Sequence, residues 1–80
     1  MFWRLEYSPD ASSYALDSLP YNEAVLLAIQ DLAFMPSPYP SGITEILPGV
    51  LGWEVADHMV YYQVFEENLT IRVIAIKPLI

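Results

Sequence analysis

The chain has 80 residues with three basic and ten acidic side chains, a formal net charge of −7, no cysteine and one histidine. These counts exclude a disulfide framework, a Cys-ligated zinc or iron–sulfur site, a cysteine nucleophile and a multi-histidine metal centre. A chain this acidic is a poor partner for phosphate backbones, which are bound by Lys and Arg. A hydrophobic fraction of 55% excludes disorder, and the length suits one small domain over residues 1–80.

Residues 2–7 alternate, with Trp3, Leu5 and Tyr7 on one face and Phe2, Arg4 and Glu6 on the other. A period of two predicts a strand with one buried face. Charges inside this early apolar stretch leave no core for a signal peptide, and no apolar run reaches the length of a membrane span. The expected location is therefore cytoplasmic. Ser8-Pro9-Asp10 then reads as a helix start: an N-cap, a proline in the first turn, and an acid near the positive helix end.

A first helix is expected from Pro9 to about Leu19, with Ala11, Tyr14, Ala15 and Leu19 on its apolar stripe. Pro20 breaks it, and a second helix is expected from about Tyr21 to Phe34. Val25, Ala28, Ile29 and Leu32 form the second core stripe, while Glu23, Gln30 and Asp31 point to water. The two make a helical hairpin. Met35 to Gly42 holds three prolines and reads as a fixed crossover loop, because each proline removes a backbone donor. Pro48-Gly49 and Gly52 read as turn or bulge positions.

The last third is strand-like. Trp53-Glu54-Val55 is short, and Met59 to Phe65 is aromatic and β-branched. Glu66-Glu67-Asn68 reads as a hairpin turn with Asn68 at positive φ. Leu69 to Ile76 reads as a strand with Ile71, Val73 and Ala75 on one face and Thr70, Arg72, Ile74 and Ile76 on the other. The expected fold is α+β in the order β-α-α-β-β-β. Its helical hairpin packs on one face of a small, mostly antiparallel sheet, and the first strand joins at an edge or beside the last strand.

Several phrases in this order resemble the RelE/ParE superfamily of toxin–antitoxin toxins. Trp3 to Ala11 resembles its opening strand and "Y-S-P-x-A" lead into the first helix. Val25 to Leu32 resembles its second helix, and Pro38 to Gly42 with Leu47-Pro48-Gly49 its "P-x-x-G … L-x-G" crossover. Ala56 to Tyr62 resembles "G-D-Y-R-V-I-Y", and Leu69 to Ile76 the closing strand. The resemblance implies the fold just described and, in the family's ribonucleases, cleavage of messenger RNA on the ribosome. That chemistry uses Lys and Arg to stabilise developing negative charge. This chain departs there. Met59 stands at the arginine of "D-Y-R-V". Glu54 follows Trp53 where an arginine is common, unless the strand is shifted by two and Leu51 takes the tryptophan position. Lys77-Pro78-Leu79-Ile80 replaces the "G-H-R" ending. No catalytic residue carries over.

His58, beside Asp57, is the one conventional titrating group: a general acid/base in an orienting pair, or an exposed turn histidine. Only one of Tyr61 and Tyr62 can face the helices. If Tyr62 packs inward with Val60 and Val64, then Met59, Tyr61 and Phe65 lie on the open sheet face. There they form an apolar docking surface or lie half-buried under loop or terminal residues. Arg72 and Lys77 form a weak anion site, unless Arg72 pairs across strands with an acid. Phe2, Ile74 and Ile76 are further candidates for the uncovered face. Neither a cofactor nor a metal is expected. The expected partner is a protein, either an antitoxin-like segment laid on the sheet or a second copy of the chain. Nucleic acid and membrane are not expected partners. Two other readings stand beside this one: a working ribonuclease with an atypical site, and a regulatory or structural subunit unrelated to toxins.

Overall fold

The computed structural model describes residues 3–17 and 22–79. Strand β1 (Arg4–Tyr7) feeds helix α1 (Pro9–Asp17), which is followed by helix α2 (Glu23–Ala33). Four strands complete the chain: β2 (Thr44–Leu47), β3 (Val50–Val55), β4 (His58–Phe65) and β5 (Thr70–Pro78). The sheet order is β1-β5-β4-β3-β2, with β1 parallel to β5 and every other pair antiparallel. The fold class is as expected, and β1 takes the edge beside the last strand. One strand more is present than the sequence pattern suggested, because Thr44–Leu47 pairs with β3 across the Pro48-Gly49 turn. Gly49 has φ +80°, the left-handed conformation that glycine adopts without strain. Gly52 is not a turn residue but sits inside β3, paired with Tyr61.

Local chemistry explains the helix starts. The Ser8 Oγ accepts a hydrogen bond from the Ala11 N–H at 3.2 Å, closing the first turn of α1. Asn22, fully buried, donates from its side-chain amide to the carbonyls of Tyr14 and Ala15 at 2.9 Å each, tying the start of α2 to α1. The expected hairpin break at Leu19, Pro20 and Tyr21 lies outside the described residues. Both helices lie on one side of the sheet. Val25, Ile29 and Leu32 of α2 meet Val60 and Tyr62 of β4 and Ile71, Val73 and Ile76 of β5 in the core. Each fully buried aliphatic side chain contributes about 1.5–3 kcal/mol.

Two corrections to the strand pattern follow from the ladder. Tyr61 pairs with Ala75 but Tyr62 pairs with Val73, so Ile74 is an extra residue in β5. A bulge shifts the alternation by one residue. Ile76 therefore joins Ile71 and Val73 in the core, 4% exposed, instead of lying on the open face. Ser8 holds the bulge: its N–H bonds the Val73 carbonyl and its hydroxyl donates to the Ile74 carbonyl. In the connection between β4 and β5, residues Glu66–Asn68 form a 3₁₀ turn, and the residue at positive φ is Leu69 rather than Asn68.

The proline segment is anchored to the sheet at Pro38. Pro38 is buried, and its carbonyl accepts the Tyr62 hydroxyl at 2.8 Å. Among the described residues no helix is long and apolar enough to cross a membrane.

Candidate functional site: the two sheet faces

His58 opens β4 on the helix-facing side, in line with Val60 and Tyr62, and is 1% exposed. Its Nδ1 lies 2.7 Å from the Ala56 carbonyl, and its Nε2 lies 2.7 Å from the Tyr14 hydroxyl. A carbonyl only accepts, so Nδ1 carries a proton; in the neutral ring, Nε2 then accepts from Tyr14. The two rings meet edge to face, with centroids 5.6 Å apart. The exposed-turn reading of this residue does not hold, because the ring is buried on the helix-facing side. Asp57 occupies the β3–β4 turn with φ +61°, exposed, and its backbone carbonyl accepts the Leu79 N–H. What His58 does in this geometry is join α1 to the β3–β4 turn.

The remaining candidates lie on the opposite face. Tyr62 packs inward, edge to face against Trp53 at 6.4 Å, which turns Met59, Tyr61 and Phe65 outward. Leu51 and Trp53 both pack on the inner side, so the two alternative registers at Trp53 place the same face inward. Three rows cross the open face. Gly52, Tyr61 and Ala75 form one; Glu54, Met59 and Lys77 the next; Gln63, Arg72 and Glu6 a third. Met59 and Tyr61 are half-buried and Phe65 is 40% exposed.

Ile46, which sequence reasoning missed, belongs to this face. It is the unpaired residue at the irregularity in β2. A Cβ on Gly52 would stand 3.0 Å from its Cγ1 and Cδ1 and 3.7 Å from the Met59 Sδ. The absence of a side chain at Gly52 thus lets Ile46 lie flat over β3 beside Met59. The usable signal was Leu47-Pro48-Gly49-Val50, a tight turn that implies a strand on either side.

All three basic residues of the chain, Arg4, Arg72 and Lys77, stand on strands of the open face. Arg72 pairs with Glu6 of β1, Nε to Oε1 at 3.6 Å, the cross-strand role open to it from the sequence. Arg72 and Lys77 do not form a joint anion site, since Arg72 lies opposite Gln63 and Lys77 opposite Met59. Among the described residues no group of three or more His, Cys, Asp or Glu could hold a metal ion. On the inner side, burial, with the Tyr39 charge second, pushes the Tyr62 hydroxyl up to about 12. Burial also raises Tyr7. Tyr39 is raised by desolvation first, then by its bond to Glu66.

No family model and no curated protein matches this sequence. Solved structures do. The toxin–antitoxin complex RelBE2 of Mycobacterium tuberculosis is similar at 14% identity, with 98% of this chain and 99% of that chain covered and a TM-score of 0.75. The archaeal RelE–RelB complex of Pyrococcus horikoshii OT3 is similar at 22% identity, over 99% and 97% of the two chains, with a TM-score of 0.72. The isolated RelE toxin of E. coli is similar at 15% identity, over 95% of this chain and 83% of that one, with a TM-score of 0.73. Two helices on one face of a five-stranded mixed sheet give this chain a RelE-like toxin fold.

Proposed function

We propose that the chain is a RelE-fold binding protein: its open sheet face takes an antitoxin-like segment of a partner protein, and the chain does not cut RNA. The make-up of that face carries the reading. Ile46, Met59, Tyr61 and Phe65 present apolar surface there. Contiguous apolar surface on a small domain marks an interface. Cleaving a phosphodiester needs cations against the developing oxyanion. This chain has three in all against ten acids, and Arg72 is already paired with Glu6. Two of the similar structures are complexes of a RelE protein with RelB, which favours a protein partner of this kind. A cytoplasmic location goes with the same reading.

The test is induced expression with growth and ribosome-bound mRNA cleavage measured, together with co-expression of the product of any small reading frame that adjoins the gene. The expected result is no cleavage and a co-purifying complex that Tyr61→Asp disrupts. Ribosome-dependent cleavage overturns the reading in favour of an atypical ribonuclease. A concentration-dependent dimer in sedimentation, abolished by Tyr61→Asp, assigns the face to a second copy instead. A monomer with no complex and no cleavage leaves the regulatory or structural subunit.

A further inference from the structure

One end of the open face, beside the β4–β5 connection, holds a different chemistry. Arg4, Glu6, Phe65, Asn68, Thr70 and Arg72 line a shallow concavity of about 380 Å³. Two of the three cations of an otherwise acidic chain meet here. The parallel register brings them together: Arg4 of β1 lies opposite Thr70 and Glu6 opposite Arg72, so both arginines stand on one face of adjacent strands. Among the described residues Arg4 has no ion-pair partner, and Arg72 is engaged only through Nε. A guanidinium has five N–H donors in a planar fork suited to a carboxylate. Most of those donors are uncommitted on both side chains. Two guanidinium charges against the one carboxylate of Glu6 leave a net +1 in the concavity, which matches a monoanion better than a phosphate dianion. Phe65, 40% exposed, supplies an apolar wall.

We propose that this concavity binds an organic monocarboxylate, with Arg4 and Arg72 on the carboxylate and Phe65 against its apolar body. The site shares Phe65 with the proposed partner surface, but Ile46, Met59 and Tyr61 are not part of its lining. Glu6 has a defined role in it. It holds Arg72 in place and lowers the site's charge, so it weakens ligand binding while ordering the receptor.

The test is a titration of the ¹⁵N-labelled full chain with phenylacetate near neutral pH and low salt, following amide shifts. Saturable shifts at residues 4–6 and 65–72 are expected. Arg4→Gln and Arg72→Gln, both at exposed positions, each weaken binding about tenfold or more, the worth of a charge-assisted contact. Glu6→Gln tightens it, because the site's charge rises from one to two positive units. 2-Phenylethanol, with the same body and no charge, gives no saturable shift, and inorganic phosphate binds more weakly than phenylacetate. A blocked Phe-Asp peptide that binds more tightly than phenylacetate assigns the carboxylate to a protein segment; the reverse order assigns it to a free acid. The proposal is overturned by unsaturable shifts, by equal shifts with 2-phenylethanol, by tighter binding of phosphate, or by unchanged affinity in Arg4→Gln. Weaker binding in Glu6→Gln also overturns it.

Discussion

Tyr62→Phe offers a test in which pH reverses the sign of a mutation. Tyr62 is wholly buried, and its hydroxyl donates to the Pro38 carbonyl at 2.8 Å. Removing the hydroxyl loses that bond and leaves a buried carbonyl without its donor, at a cost of about 1–2 kcal/mol near neutral pH. The folded state raises the hydroxyl from the usual 10.0 to about 12, chiefly through burial. A folded value above the unfolded one means that folding favours the protonated phenol. That contribution is complete below pH 10 and is lost as the pH climbs towards 12. Two pKa steps correspond to about 2.7 kcal/mol of stability lost across the window. The phenylalanine variant has no such group. It is therefore the less stable protein at pH 8, and the two stabilities converge or cross between pH 11 and 12. The assay is denaturant unfolding of both proteins at intervals from pH 8 to 12, read as a difference. Taking the difference cancels Tyr7, whose raised value acts on both proteins alike, whereas the Tyr39 charge is a part of the Tyr62 shift itself. A gap that stays constant across the series refutes the reasoning.

Three further outcomes are expected. Asn22→Ala withdraws the donors that satisfy the Tyr14 and Ala15 carbonyls; it lowers unfolding stability by about 2–3 kcal/mol, measured by urea denaturation. Ser8→Ala removes both the α1 cap and the donor to the Ile74 carbonyl. It costs about 1–2 kcal/mol, and hydrogen exchange should speed up first around residues 74 and 75. Ala56 and Asp57 both carry positive φ in the β3–β4 turn, as a type I′ turn requires; Asp tolerates that conformation, but Ala does not favour it and the pair is not the preferred Asn-Gly. Replacing the pair by Asn-Gly raises the midpoint of thermal unfolding, with a gain of about 0.5–1 kcal/mol.

Sequence pattern carried the fold class a long way, and particular residues show why. Ser8-Pro9-Asp10 starts a helix whatever surrounds it, because the cap bonds an amide three residues on. Alternation in Trp3 to Tyr7 faces one side inward without help from the rest of the chain. The failures share a cause. The two-residue period of Leu69 to Ile76 predicts Ile76 outward, yet the bulge at Ile74 turns it into the core. That bulge is held by Ser8, 66 positions away in sequence. His58 looked like a turn residue because Asp57 precedes it. Its burial follows from which side of β4 faces the helices and from a tyrosine on α1.

The candidate surface divides along the same line. From the sequence alone came the net charge, the scarcity of cations, the helical hairpin and the outward set Met59, Tyr61 and Phe65, since each depends on composition or on neighbours along one strand. Only the tertiary structure decided the rest. It put His58 on the other side of the sheet, laid Ile46 over Gly52, separated Arg72 from Lys77 and brought Arg4 beside Arg72. Those outcomes depend on strand register and on bulges. Both are set by hydrogen bonds between distant segments, which leave no periodic trace along the chain.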